Sequence, residues 1–202
     1  MLKIGLTGSI GTGKSTVKNL LNELGAYTID ADNIVHHLLT EPPIITKIEK
    51  EFGKEVISNK KIDKKKLAQI IFSDPNKKKK LENILHPEVF KTLNHFFEEI
   101  QKKDPCAVAV AEVPLMIETG SYKNYDLIIL VYAPKELQLK RLIQKGMSKD
   151  EALARINSQM DIEKKKRYAD ILIENTDTLE ELKKKVADTY KILKEKTKKD
   201  CI

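Results

Sequence analysis

The stretch that most constrains this chain is Gly8-Ser9-Ile10-Gly11-Thr12-Gly13-Lys14-Ser15-Thr16, which fits G-x-x-x-x-G-K-[ST] at Gly8, Gly13, Lys14 and Ser15. Such a loop needs a buried strand before it and a helix after it. Its glycines let backbone N–H groups curl around phosphate oxygens, and the positive end of the helix points at the same place. Leu2 to Thr7 is a short apolar run suited to a buried strand. Val17, Leu20, Leu21 and Leu24 then recur at helical spacing, and Gly25 stops the helix. In this geometry Gly11, Thr12, Gly13, Lys14, Ser15 and Thr16 hold a nucleotide. Lys14 reaches its β- and γ-phosphates, and Ser15 offers a hydroxyl to Mg²⁺.

Composition narrows the partners. The 202 residues allow one domain, or one domain with inserted lobes, and 41% hydrophobic residues allow a sizeable core. The net charge of +7 is compatible with nucleic acid, but aromatic residues are 5% of the chain and tryptophan is absent, which disfavours stacking on single strands. The lysines lie in scattered clusters, as on a solvated surface, and a phosphate-rich small substrate suits the charge equally well. No apolar run approaches the ~18 residues that cross a membrane. The chain runs straight into its loop-bearing strand, so no secretory signal is expected. Cys106 and Cys201 have no metal-ligand spacing and suit a reduced, cytoplasmic protein in which no disulfide is required. Arginine is confined to Arg141, Arg155 and Arg167. Its fork of donors clamps phosphate where lysine is a point charge, so this segment reads as one that needs the fork.

Along the chain, apolar runs at Ala26–Asp30, Cys106–Val113, Asp126–Ala133 and Ala169–Glu174 read as four further strands. Residues 33 to 104 read as almost all helix. Pro43 and Asp63 open helices there, Gly53 stops one, and His86-Pro87 interrupts another. Ser148–Glu151 and Thr178–Glu181 read as capping boxes. Five strands alternating with helices imply a mainly parallel sheet covered on both faces, with ligands at the carboxyl ends of the strands. The phosphate loop, Asp30 and Asp32, Glu112 to Glu118, and Asn175 all fall at that edge.

A switch GTPase is disfavoured. No glycine follows an Asp by three residues, and Asn59-Lys60-Lys61-Ile62-Asp63 is one residue too long for a guanine motif. A small-molecule kinase fits better, with the arginine-bearing segment as a lid that excludes water. Asp32, just past a strand end, is the candidate to orient and deprotonate an acceptor hydroxyl. It could instead cap the following helix, with Asp30 and Asp32 dividing the two roles.

Ile4 to Val17, Ile29-Asp30-Ala31-Asp32, Leu85-His86-Pro87, Val113-Pro114-Leu115 with Glu118, Gln138 to Leu142, Gln159, and Ala169-Asp170 through Asn175 together resemble dephospho-CoA kinases. The resemblance implies an α/β fold, a P-loop NTPase three-layer core with a five-stranded parallel sheet of order 2-3-1-4-5. Residues 1–32 and 105–202 form that core, with a helical lid within 137–167. Residues 33–104 form a helical acceptor lobe inserted after strand 2. It further implies transfer from ATP to the ribose 3′-hydroxyl of dephospho-CoA, with Mg²⁺ as cofactor. Those two small molecules would be the partners, with no nucleic acid or membrane, in a monomer or small homo-oligomer. Asp32 matches the family's proposed base and Arg141 its lid arginine near the transferring phosphate. Pro134 and Asn175 match positions near adenine. His86, Leu115, Glu118 and Lys64 fall on the acceptor side. Lys64 and Lys145 stand where the family commonly has arginine, trading a fork for a point charge. Ser9, Thr12 and Asp177 also differ from the usual Gly, Ser and Gly.

Overall fold

The structure, a computed structural model, describes residues 1–200. Seven strands and a series of helices alternate along it. The strands are β1 (Leu2–Thr7), β2 (Tyr27–Asp30), β3 (Ile57–Ser58), β4 (Lys61–Ile62), β5 (Val108–Glu112), β6 (Leu127–Tyr132) and β7 (Ile171–Glu174). The helices that matter below are α1 (Lys14–Glu23), α2 (Ala31–Leu38), α3 (Pro42–Phe52), α4 (Lys64–Ser73), α5 (Pro75–Lys103), α6 (Lys135–Gln144), α7 (Lys149–Asn157), α8 (Ile162–Lys165) and α9 (Leu179–Asp200). The main sheet is parallel, in the order β2-β5-β1-β6-β7. Counted by their sequence within that sheet, its strands run 2-3-1-4-5, as the resemblance implies.

Two units are distinguishable: Met1–Asp30 with Phe97–Ile202, and Ala31–Phe96. In the first, every residue of β5 is buried, which is what two covered faces require. Ile4, Leu6, Val110, Ile129, Val131 and Ile173 from the sheet share one core with Val17 and Leu21 of α1 and Leu182, Val186 and Leu193 of α9. The Thr178–Glu181 box forms reciprocally: Glu181 N–H donates to Thr178 Oγ1 and Thr178 N–H to Glu181 Oε2. Ser148 Oγ likewise accepts from Glu151 N–H at the start of α7.

The second unit packs Ile44, Ile48, Phe52, Val56, Leu67, Leu81 and Leu85 together. Asp63 caps α4 by accepting from the N–H groups of Lys65 and Lys66. The segment is almost all helix, as expected, apart from a hairpin of β3 and β4 whose two turn residues, Asn59 and Lys60, both have positive φ (51° and 61°). A two-residue hairpin loop of this hand matches strand twist, and asparagine tolerates it. The near-match to a guanine motif is therefore a hairpin turn. One expectation fails here: His86-Pro87 does not interrupt a helix, and α5 runs through Pro87. Proline removes one backbone donor there, but the ring is exposed while Leu85 and Val89 on either side are buried, so the apolar stripe continues through it.

Cys106, of which the sequence requires no disulfide, stands just ahead of β5. Cys201 lies outside the described residues.

Candidate active site

β1 delivers the chain into Gly8–Gly13, and α1 begins at Lys14. The turn closes on one carbonyl. Ser9 O accepts from Thr12 Oγ1 at 2.9 Å, Thr12 N–H at 3.3 Å and Lys14 Nζ at 3.1 Å. Lys14 is thereby folded over the loop and only 9% exposed. Two glycines are dictated by close approach. Gly11 has φ 80°, and a Cβ there would meet Gln138 O at 2.9 Å. Gly13 has φ 94°, and a Cβ there would collide with Asn175 Nδ2. The first N–H groups of α1 have no intrahelical acceptor and carry the positive end of the helix, so the concavity suits an anion.

Beside the loop, Ser15 Oγ donates to Glu112 Oε1 at 3.1 Å. Glu112 closes the otherwise apolar β5 and is 4% exposed. Its register partner on β2 is Asp30. Lys18 Nζ sits between them, 2.6 Å from Asp30 Oδ2 and 3.3 Å from Glu112 Oε2. The longer contact is an ion pair without hydrogen-bond alignment, which leaves Glu112 Oε2 buried without a donor. Burial works against the Lys18 ammonium, but the hydrogen bond to Asp30 and the charges of Glu112 and Asp30 outweigh it and raise its pKa. A hydroxyl, a carboxylate and an unsatisfied carboxylate oxygen form a hard-oxygen set. Mg²⁺, which is bound through one or two carboxylates plus substrate phosphates, fits it.

At the other end of the loop, Asn175 Nδ2 donates to Thr12 O at 2.8 Å. Arg141 Nη2 donates to Asn175 O at 2.9 Å and Oδ1 at 3.3 Å, and Nη1 lies 3.5 Å from both Gly11 O and Thr12 O. Burial lowers the pKa of Arg141. Pro134 precedes α6 as its N-cap. Leu142, Ala152 and Ile156 of α6 and α7 form a small cluster against which Ile10, Leu139 and Met147 pack. Ile10 N–H also donates to Gln159 Oε1 at 2.8 Å. Of the three arginines, then, Arg141 meets the phosphate loop, whereas Arg155 pairs with Glu151 on an exposed face and Arg167 is exposed.

The other sequence-named residues fall into two groups. Leu115 is on the loop after β5 and 38% exposed. Glu118, on the same loop, is held by Lys165: Nζ is 2.8 Å from Glu118 Oε1 and donates to Pro114 O at 3.1 Å, with the Lys165 side chain 0% exposed. Asp32, His86 and Lys64 belong to the Ala31–Phe96 unit. The extended form ends at Asp30 and α2 starts at Ala31, so Asp32 lies in the first turn of the helix, exposed, rather than at its cap. His86 is half-buried in α5, edge-on to Phe90 at 6.3 Å. Lys64 is the exposed first residue of α4. Sequence reasoning put Glu112 at the right edge without assigning it a role, and it passed over Lys18 and Lys165. The available signal for Glu112 was one acid ending an apolar run; the two lysines had none.

A parallel 2-3-1-4-5 sheet, a phosphate loop on its first strand and a Ser15–Glu112 pair beside it define a P-loop kinase. A shikimate kinase from Acinetobacter baumannii has this fold, with a TM-score of 0.51 at 18% identity over 96% of this chain and 93% of that one. The family model for dephospho-CoA kinase matches residues 2–181, and the chain belongs to that family. It is 41% identical over 195 residues to the dephospho-CoA kinase of Aquifex aeolicus, covering 96% of this chain and 98% of that protein. The solved dephospho-CoA kinase from Campylobacter jejuni superposes with a TM-score of 0.73 at 34% identity, covering 96% and 97%.

Proposed function

We propose that the protein transfers the γ-phosphoryl group of ATP to the ribose 3′-hydroxyl of dephospho-CoA, giving CoA and ADP, the last step of CoA synthesis. The observation that carries this reading is the donor edge itself, where the loop, Lys14 and the Ser15–Glu112 pair converge in a chain of this family. Gly11 to Thr16 cradle the phosphates, with Lys14 on the β- and γ-groups. Ser15 and Glu112 would hold Mg²⁺, which neutralises phosphate charge when bound. Pro134 and Asn175 flank the base.

Arg141 braces Asn175 and the outer turn of the loop, and its remaining N–H donors answer charge that develops on the transferring group. Asp32 orients the acceptor hydroxyl and takes its proton as the O3′–Pγ bond forms and the bond from Pγ to the bridging oxygen of ADP breaks. Leu115 contacts the acceptor from a loop that Glu118 ties to Lys165. Lys64 and His86 act from an acceptor lobe spanning about residues 33–104. We assign the protein to the cytoplasm, as a monomer or small homo-oligomer with ATP and dephospho-CoA as its partners. No helix among the described residues is long and apolar enough to cross a membrane.

The deciding experiment is mass-spectrometric detection of CoA after incubation with ATP, Mg²⁺ and dephospho-CoA. Nucleosides, nucleoside monophosphates and shikimate serve as competing acceptors. Preferential phosphorylation of any of these would overturn the assignment.

A further inference from the structure

Lys165 is the largest fully buried side chain among the described residues, yet it has no part in the transfer just described. It closes α8, a single turn opened by Asp161, whose carboxylate accepts from Glu163 N–H. Ile162, three residues before it, is buried on the same helix face. Enclosing an ammonium is costly unless its donors meet acceptors. A methionine would fill much the same length without that cost. What the lysine adds is direction. Its Nζ donates to Pro114 O at 3.1 Å and lies 2.8 Å from Glu118 Oε1, so one group grips both ends of residues 114–118. Between those ends Met116 and Ile117 are buried, and Leu115 is left 38% exposed.

The same turn is tied to the phosphate loop by two neighbouring residues. Met160 N–H donates to Glu118 Oε1 at 3.0 Å, and Gln159 Oε1 accepts from Ile10 N–H at 2.8 Å. From the end of β1, Thr7 Oγ1 donates to Val113 O at 2.9 Å. Leu115 therefore stands on a turn whose place relative to the phosphate loop is fixed by directed hydrogen bonds. We propose that Lys165 is a positioning residue. By gripping Pro114 and Glu118 it sets where Leu115 meets the acceptor, relative to the phosphates on the loop. The proposal rests on the functional reading, in which Leu115 contacts the acceptor.

The test separates the two substrates. Steady-state rates are measured at a temperature where circular dichroism shows each variant folded. Lys165→Met should raise the KM for dephospho-CoA roughly tenfold, as for a displaced apolar contact, and leave the KM for ATP as it is. A lysine that served stability alone would lower the thermal midpoint and the folded fraction, which reduces kcat and leaves both KM values unchanged. Glu118→Ala should reproduce the rise, and Glu118→Gln, which keeps an oxygen for both donors, should show a smaller one. Leu115→Ala should raise the same KM and, added to Lys165→Met, raise it little further, since both act through one contact. An unchanged KM for dephospho-CoA in Lys165→Met overturns the proposal. So does an equal rise in the KM for ATP, or effects of Lys165→Met and Leu115→Ala that multiply in full. If Lys165→Met does not fold, Glu118→Ala takes its place in each comparison, with the same outcomes decisive. Failure of the natural protein to make CoA would sink the functional reading and this proposal together; normal turnover with an unshifted KM in the variants would sink this proposal alone.

Discussion

In the unit that carries the phosphate loop, charged groups are buried and cross-linked. Lys14 folds onto Ser9 O, Lys18 bridges two carboxylates, and Lys165 is wholly enclosed against Glu118 and Pro114. In the Ala31–Phe96 unit the charges lie outside an apolar cluster. Asp32 and Lys64 are exposed, and the pairs Lys47–Glu88 and Lys80–Glu51 lie at the surface. The contrast teaches that the donor half is organised before any ligand arrives, because buried polar groups must satisfy one another. Asp32 and Lys64, assigned to the acceptor half, instead face water.

The sharpest attempt to break this contrast is Lys14→Ala. It should lower kcat/KM on the order of a thousandfold and weaken nucleotide binding as well, since Lys14 also closes the loop. Steady-state rates and calorimetric titration with ATP check both halves. Next comes Asp32→Ala, which should cost roughly a hundredfold or more in kcat while ATP affinity stays the same. Near-normal turnover would remove Asp32 from the proton-accepting role and leave it a first-turn helix residue.

The stability counterpart is a matched pair of substitutions. Lys165→Met removes the cation from Glu118, which keeps the Met160 N–H, and takes the donor from Pro114 O; it should cost about 2 kcal/mol in urea unfolding. A loss well under this would mean that the buried pair is no stronger than a surface one. Glu88→Gln tests the surface side and should have the smallest effect. The hydrogen bond from Lys47, and then its charge, hold Glu88 below the usual carboxylate range. A depressed folded pKa contributes stability above the unfolded value of 4.5, and that stability is lost as pH falls through the folded pKa. Denaturant midpoints of the natural protein and Glu88→Gln should therefore converge on acidification and differ only slightly at neutral pH.

The sheet was legible because its central strands β1, β5 and β6 are mostly apolar and buried, and the phosphate loop because its spacing has one mechanical use. What stayed hidden depends on neighbours that only the fold creates. Glu112 and Asp30 are remote in sequence and meet because β5 inserts between β2 and β1. Lys165 belongs to the run Lys164-Lys165-Lys166, which looks like solvated surface, and only helix phase decides which member is enclosed. The Asn59-Lys60 turn was obscured because lysine rarely takes positive φ. Pro87 misled because burial on either side outweighs one lost backbone donor. Asp32 was misjudged in conformation: the helix begins two residues earlier than a capping role would require.

Ile10 links two pieces of the chain that are easily thought of separately. Its N–H is held by Gln159, and its side chain belongs to the cluster that joins α6 to α7. That gives the phosphate loop a spectroscopic handle outside itself. Met147 packs against the same cluster, and its methyl resonance should register nucleotide arrival without any label on the loop.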